Sequence, residues 1–528
     1  MNRLADWSFV VPFIPVAIPM IFALTALMSP RRAGAASGSA LALALLFTLG
    51  VAVMPGGSTP GGLGLVVRVD AVTCVMLLLV TSLGGVIVRY SRSYLHGDPG
   101  LVRYQRWLLL TLGAVTAVVI TNNLFVLALG WTATSLALHQ LLTFYSDRTS
   151  ALVAAHKKFL VSRLADICLA VCLVLVHRNV GSFGLDRIAA WAGSHPELTP
   201  SMKWAAVLVV MAVALKSAQL PFHGWLTQVM EAPTPVSALL HAGVVNIGGL
   251  ALIRLSAWMA RAELAQLLLV VIGLVSALLA ALVMTTRVSV KVALAWSTCA
   301  QMGFMLVQCG LGLWHLALLH LVAHSLYKAH AFLSAGTAVE GWRLEALRKR
   351  PLAPAGGRIT IGLVLTLGAA TFGIGVLRHV VEWSSQDELS ISVLAVLVSL
   401  SMIPLLTQST SGPAAMSAVA VRISGLVLLY VGLHAAAAQL LPADAGPANA
   451  LGWYLVAGGF VGLFAVKLAL QMFPEARLAR ALYHWLFAGL YLDERFTRLT
   501  FNLWPPRLPH PAGTYRSVGI RATVEAGT

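Results

Sequence analysis

The chain has 528 residues, of which 59% are hydrophobic and only 10% charged, and its mean hydropathy is +0.85. This composition excludes a soluble globular protein. A formal net charge of +17 can indicate nucleic-acid binding, but in a membrane protein basic loops that orient the helices explain it better, so we expect no nucleic-acid partner.

Long apolar stretches recur from the N-terminus to about residue 472. Each has about 20 residues, enough for a helix to cross the roughly 30 Å hydrocarbon core of a lipid bilayer. The pattern predicts an all-α polytopic membrane protein with about fifteen transmembrane helices. We place these helices at 7–28, 36–54, 68–90, 105–122, 123–145, 155–177, 203–228, 234–255, 265–285, 288–309, 312–334, 358–378, 389–407, 417–437 and 451–472.

Basic residues are unevenly distributed between the predicted loops. They collect in alternate loops, as at Arg31 and Arg32 or between 343 and 358, whereas loops 54–62 and 441–450 contain no Lys or Arg. Cytoplasmic loops are enriched in Lys and Arg. We therefore expect a cell inner membrane protein with its N-terminus outside and its C-terminus in the cytoplasm.

The C-terminal tail differs from the preceding stretches because it mixes aromatic and Arg residues. Residues 474–504 suit an interfacial helix or a protein-docking surface better than a transmembrane helix. In the expected topology this tail and the basic loop 343–358 both face the cytoplasm. We predict that they bind a soluble partner.

The most informative stretch is 216–253, where an apolar helix carrying Lys216 meets Pro221 five residues later. Proline lacks an N–H and clashes with the preceding turn, so the helix is expected to break just after Lys216. The chain turns at Pro233 and Pro235 and enters another apolar helix that carries His241. A charged side chain at the bilayer centre costs about 2.5–3.5 kcal/mol, which points to a site that moves protons or ions.

A second group of titratable residues lies in the predicted helix 312–334. His320, His324 and Lys328 recur at i, i+4 and i+8 and form one stripe along the helix. Histidine titrates near neutral pH, so such a stripe can pass protons.

Five further charged residues lie in or beside apolar stretches. They are Asp70, Lys157, Arg163, Asp166 and Lys291. Arg163 and Asp166 are spaced i, i+3 and can form either a structural ion pair or part of an ion path. Asp70 and Lys291 are equally well explained as boundary residues that reach the lipid headgroups.

No pattern for chemistry on a substrate is present. Cys168 and Cys172 share a helical face but have no further ligand at metal-site spacing, so we expect packing roles for the cysteines and no metal site or cofactor in this chain. The chain also lacks nucleotide-binding glycine motifs and a nucleophile elbow, so we do not expect it to be an enzyme. The five cysteines are Cys74, Cys168, Cys172, Cys299 and Cys309.

The segments KSAQLPFHGWL, EAPTPVSALLHAG and AWSTCAQMGFMLVQCGLGLWHLALLHLVAHSLYKAHAFLSAG resemble the proton-pumping antiporter-like membrane subunits. This family includes the distal membrane subunit of respiratory complex I and the Mrp-type antiporter subunits. The resemblance implies a proton pathway with Lys216 as the pumping lysine. The other residues implied for the pathway are His241, Lys291, His320, His324 and Lys328, with Asp70, Lys157, Arg163 and Asp166 as supporting polar or ion-pair residues.

The chain also departs from the family pattern. Full pumps carry a Trp-Glu pair in the fifth helix, whereas Thr132 occupies the glutamate position here. The second broken helix of full pumps ends in a lysine motif, and only Arg378 and His379 lie in the corresponding region. The resemblance therefore implies a partly kept first half-channel and a remodelled second one.

The long lateral helix of the complex I subunit would need far more chain after residue 472 than is present here. This shorter layout most resembles the DabB type of membrane subunit in inorganic-carbon accumulation complexes. That resemblance implies proton flow that drives net conversion of CO₂ to bicarbonate in a large cytoplasmic partner of the DabA type, similar to a zinc carbonic anhydrase. Another cation could take the place of the proton in this function. Two alternatives remain open. The chain could be a proton-pumping subunit of a respiratory NADH dehydrogenase or cation/proton antiporter complex, or it could be a non-conducting membrane anchor.

The resemblance also implies a division of the chain into antiporter-like repeats. The expected parts are N-terminal transmembrane helices (1–104), a first repeat with Lys216 (105–255), a second, remodelled repeat with the histidine stripe (256–437), a last transmembrane helix (438–473) and a cytoplasmic amphipathic tail (474–528).

Overall fold

The computed structural model describes residues 13–28, 30–53, 57–60, 66–337 and 450–505, together with six isolated positions between 421 and 436. The predicted helices 358–378 and 389–407, most of 417–437 and the loop 343–358 lie outside the described residues, as do Arg378 and His379.

Helices dominate the described part of the chain, as the sequence predicts. The first helices and the one β-hairpin described are α1 (Phe13–Leu27), α2 (Pro30–Ala52), β1 (Gly57–Pro60), β2 (Val66–Val69), α3 (Ala71–Tyr94), α4 (Leu101–Ile120), α5 (Leu124–Leu142), α6 (Thr149–Val180) and α7 (Leu185–Ser194). The helices that follow are α8 (Pro200–Lys216), α9 (Gly224–Thr227), α10 (Thr234–Ala242), α11 (Ile247–Arg254), α12 (Ser256–Met259), α13 (Glu263–Met284), α14 (Val290–Gly310), α15 (Trp314–Leu333), α16 (Ala450–Met472), α17 (Arg477–Phe487) and α18 (Leu492–Leu503).

Seven described helical segments are long and apolar enough to cross a membrane. These segments differ in how much of each is buried within the protein. Of the most apolar 18 residues in Thr234–Arg254, 94% are buried, whereas in Ala450–Met472 only 6% are. The segment Thr234–Arg254 is therefore central, and the described helices surround it.

Local signals explain where these helices begin and end. Asp70 caps α3 by accepting the Thr73 N–H at 2.8 Å, and Asn123 caps α5 in the same way. Gly181 ends α6 with a positive φ of 69°, which glycine adopts without a Cβ penalty. The predicted boundaries were therefore close wherever such a cap is present.

The structure adds three features that the sequence did not predict. The loop after α2 contains an antiparallel hairpin that pairs β1 with β2. The predicted helix 234–255 is interrupted at Gly243, where a short 3₁₀ segment, Val244–Asn246, joins α10 to α11. The predicted loop 178–202 contains α7.

The close contact of α13 with α14 depends on two glycines. A Cβ on Gly273 or on Gly303 would clash with the backbone of the opposite helix. Small residues let the backbones of two membrane helices approach closely, as they do here.

Candidate functional site

The predicted helix break after Lys216 is confirmed. Helix α8 ends at Lys216, the next residues turn through Ala218 with a φ of 53°, and the chain resumes as the short helix α9. Only 3% of the Lys216 side chain is exposed. A buried ammonium thus lies at the point where the helix stops.

The partner of Lys216 is Asp166 on the neighbouring helix α6. Lys216 Nζ lies 2.7 Å from Asp166 Oδ1, and Arg163 Nη2 lies 2.8 Å from Asp166 Oδ2. The predicted Arg163–Asp166 ion pair is therefore present, but it is part of a larger group. A single carboxylate contacts two cations.

Helix α5 completes this group through two consecutive residues. Thr132 Oγ1 donates to Asp166 Oδ1 at 2.9 Å, and the Lys216 ammonium lies 4.8 Å from the centre of the Trp131 ring. The family resemblance implies that Thr132 stands where full pumps carry glutamate. In this structure the Thr132 hydroxyl donates to the carboxylate of Asp166, and that carboxylate comes from α6.

Lys158 is a residue that sequence reasoning missed. It is buried on α6, and its ammonium donates to Ser135 Oγ at 2.9 Å and to the Ser135 carbonyl oxygen. Thr132, Ser135 and His139 recur at i, i+3 and i+7 on α5 and so share one face. This spacing on α5, together with the Lys157–Lys158 pair on α6, is the sequence signal that could have identified Lys158.

A second polar group lies where α10 packs against α15. His241 is fully buried, its Nδ1 lies 3.0 Å from Thr298 Oγ1, and its ring stacks on Phe332 at 4.3 Å. Lys328 donates to Ser297 Oγ at 2.8 Å. The structure therefore brings His241 and Lys328, from different helices, into one interior site.

The predicted stripe on α15 lies on the inner face of the helix. His320 Nδ1 donates to Gln308 Oε1 at 2.9 Å, and the His320 and His324 rings are 6.0 Å apart. His324 is 3% exposed, and neither of its ring nitrogens has a hydrogen-bond partner among the described residues. Buried polar groups without protein partners are the usual sites of ordered water.

The other three predicted residues make their contacts outside these two groups. Lys291 Nζ donates to Thr234 Oγ1 at 2.8 Å, and Lys157 Nζ contacts Asp493 Oδ1 at 2.7 Å. Asp70 Oδ2 contacts Arg254 at 2.6 Å and Arg68 at 2.7 Å. Asp70 thus pairs with protein groups instead of reaching lipid headgroups.

The Asp70 pair is an electrostatic link between α3 and α11. Burial alone raises the pKa of the Asp70 carboxyl, but the Arg254 guanidinium and the Thr73 N–H stabilise its charged form and hold its pKa at about 2. Arg254, which the sequence analysis did not single out, also donates to the Val119 carbonyl at 3.2 Å. It joins three helices at this end of the bundle.

The buried titratable residues form two interior groups. The first contains Lys216, Asp166 and Lys158, and the second contains His241 and the α15 stripe. Within the described residues no hydrogen bond connects the two groups directly. No cluster of three His, Cys, Asp or Glu that could hold a metal ion occurs in the part of the chain that the structure describes.

Comparisons with known proteins give the same family. Residues 121–350 match the model "NADH:quinone oxidoreductase/Mrp antiporter, TM", and residues 62–105 match "NADH-Ubiquinone oxidoreductase (complex I), chain 5 N-terminus". A solved Mrp complex from Dietzia sp. DQ12-45-1b has a TM-score of 0.59 at 23% identity, over 94% of this chain and 61% of that one. This structural likeness shows a shared fold.

Two relatives match along almost the whole chain. The probable inorganic carbon transporter subunit DabB of Hydrogenovibrio crunogenus is 40% identical over 93% of this chain and 94% of its own length. DabB2 of Halothiobacillus neapolitanus is 38% identical over 95% of this chain and 96% of its own length. The chain is therefore a multi-pass membrane protein of the antiporter-like subunit family, and it resembles the DabB members of that family along nearly its entire length.

Proposed function

We propose that this protein conducts protons through the cell inner membrane and so drives the accumulation of inorganic carbon. The observation that carries the proposal is the buried Lys216–Asp166 pair at a helix break. A carboxylate that can exchange partners with an ammonium, beside backbone freed from helical hydrogen bonds, is a suitable proton-binding site. The full-length match to DabB subunits supplies the substrate class.

The chemistry on carbon is assigned to a partner. We propose a large cytoplasmic subunit of the DabA type, similar to a carbonic anhydrase and carrying zinc, in which proton flow favours net conversion of CO₂ to bicarbonate. The exposed aromatic residues Tyr483 and Trp485 on α17 supply a docking surface for it. In this proposal the tail lies on the cytoplasmic side and the N-terminus lies outside.

A non-conducting anchor is a weaker explanation. Lys158, Lys216, His241 and Lys328 are all buried, and apolar residues at these positions would insert into the membrane at lower cost. An anchor has no use for these side chains. Their retention favours an ion path.

A respiratory or antiporter subunit is the second candidate, and the family model favours it over residues 121–350. Thr132 argues against a standard pump, because the glutamate is missing from α5. The carboxylate of Asp166 on α6 restores a partner for Lys216 but not the same geometry. Extension of the DabB match beyond this central region favours the carbon-accumulation function.

The test is Lys216→Ala in the complex with its partner, measured as bicarbonate uptake in a host that lacks carbonic anhydrase. We expect uptake to be lost while the complex still assembles. Lys216→Arg should also fail, because guanidinium does not release its proton at accessible pH. Lys203→Ala, at an exposed lysine of the same helix, is the matched control and should transport normally.

The driving ion is tested with ionophores on the unmodified complex. A protonophore should abolish uptake. Uptake that survives the protonophore but stops with a sodium ionophore would identify sodium as the driving ion in place of the proton.

Full uptake by a well-expressed Lys216→Ala variant would refute the proposed path.

A further inference from the structure

The C-terminal helix α18 places a carboxylate next to the helix break. Asp493 Oδ1 lies 2.7 Å from Lys157 Nζ, and Gln228 Nε2 donates to Asp493 Oδ2. Lys157 Nζ also donates to Thr497 Oγ1 at 3.0 Å, one turn further along α18. The side chain of Lys157 is 0% exposed, whereas that of Asp493 is 20% exposed.

The backbone at the break makes room for this carboxylate. Gly224 opens the short helix α9, and a Cβ on Gly224 would overlap the carboxyl group of Asp493. Asp493 therefore lies directly against the resumed part of the broken helix.

Contacts on both sides hold the tail in this place. Before Asp493, Arg287 Nη2 donates to the Leu486 carbonyl at 2.7 Å. After it, the Phe496 ring meets Phe222 edge-on at 5.4 Å, and His156 Nε2 lies 2.7 Å from the Trp504 carbonyl oxygen. The position of Asp493 is thus fixed by more than its own ion pair.

The segment between Asp493 and Lys216 contains three buried polar residues. Residues 217–223 form the break itself, and within them Ser217, Gln219 and His223 are at most 1% exposed. Gln219 Oε1 and both ring nitrogens of His223 have no hydrogen-bond partner in the described part of the chain. Such groups can hold water, and the segment ends at the Lys216 ammonium.

We propose that Asp493 is the proton-release group on the face of the protein that carries α17 and α18. A proton passes from the Lys216–Asp166 pair through the break, by way of bridging water and His223, to the Asp493 carboxylate and from there to water. Lys157 is a positioning residue that holds the carboxylate at the mouth of this route. The inference rests on the proposed proton path, and it makes the tail a functional part of that path.

The alternative is that Asp493 only clamps the tail. An ion pair alone could do that, but it does not account for polar side chains without partners between Asp493 and Lys216. If Asp493 were only a clamp, its charge would affect transport only by holding the tail in position. Transport and tail position therefore have to be measured separately.

The experiment compares Asp493→Asn, Asp493→Glu and Glu494→Gln in the full complex. Glu494 is the adjacent, exposed carboxylate, so Glu494→Gln is the matched control. Trypsin cleavage at Arg495 and Arg498, which are exposed on α18, reports whether the tail remains in place. Bicarbonate uptake driven by an imposed proton gradient reports transport.

We expect Asp493→Asn to lower the uptake rate by about a hundredfold, because loss of a positioned proton-transfer group typically has an effect of this order. Trypsin resistance should remain, since the amide oxygen can still accept one hydrogen bond and the tail contacts of Leu486, Phe496 and Trp504 are unchanged. Asp493→Glu should retain most of the uptake, and Glu494→Gln should transport normally.

Two results would overturn the inference. Normal bicarbonate uptake by Asp493→Asn excludes a proton-release role for Asp493, even where Lys216→Ala is inactive and the proposed function stands. Loss of uptake by Asp493→Asn together with rapid cleavage of the tail identifies Asp493 as a clamp.

Discussion

Removal of the Asp166 carboxylate should inactivate the protein, because Asp166 is the anionic partner of a buried cation. In Asp166→Asn the Lys216 ammonium keeps its burial but loses a contact of 2.7 Å, and Arg163 loses the same partner. Loss of one member of a buried ion pair costs about 3–5 kcal/mol. Since each 1.4 kcal/mol is a factor of ten, the equilibrium between the charged and neutral forms of Lys216 should shift towards the neutral form by about a hundredfold to a few thousandfold.

The position of Thr132 allows a rescue of this variant. Thr132 Oγ1 lies 2.9 Å from Asp166 Oδ1, so a longer side chain at 132 brings a carboxylate within reach of the same ammonium. We expect Asp166→Asn combined with Thr132→Glu to recover a substantial part of the uptake. Asp166→Asn combined with Thr132→Gln has the same bulk without the charge and should stay inactive.

Bicarbonate uptake by the assembled complex is the assay, with the amount of complex in the membrane measured in parallel. Asp186→Asn, at an exposed aspartate of α7, controls for loss of a carboxylate as such. The reasoning is wrong if Asp166→Asn transports at the normal rate. It is also wrong if the glutamate and glutamine double variants behave alike.

The remaining predictions concern the two ends of the bundle and its interior. Asp70→Asn should lower the free energy of unfolding by about 3 kcal/mol, because the Arg254 guanidinium, only 2% exposed, loses its anionic partner. The pKa of Asp70 falls from 3.8 to about 2 on folding, so this stabilisation is complete above about pH 4 and disappears only as the pH falls towards 2. Thermal unfolding in detergent should therefore show the same difference between variant and parent at pH 5 and at pH 7. Single replacements His320→Leu and His324→Leu should slow uptake without loss of assembly, and uptake at the normal rate in both variants would make the stripe structural. The chain purified alone should neither hydrate CO₂ nor bind zinc in a fixed ratio, as activity and metal assays would show; either finding would contradict the assignment of that chemistry to a partner.

Features that depend on neighbouring residues were predictable from the sequence. The break after Lys216 follows from Pro221, and the inward stripe on α15 follows from a spacing of four residues. The ion pair of Arg163 with Asp166 lies within one turn of a helix. In each case a local rule determines the geometry.

Features that depend on packing between distant segments were not predictable. Asp166 and Lys216 are on different helices, and only the packing of α6 against α8 brings them together. The same holds for Arg254, which lies 184 residues from Asp70 in the chain. Neither hydropathy nor helical spacing carries information about such pairs.

The long separation between Lys157 and Asp493 affects how the protein is made. The two residues are 336 positions apart, and at about 5–20 residues per second the ribosome needs roughly 20 to 70 seconds to reach the second after the first. Throughout this interval helix α6 is already synthesised while the ammonium of Lys157 lacks its carboxylate. Chains that stop before Asp493 keep the Lys157 ammonium in the bundle without its carboxylate.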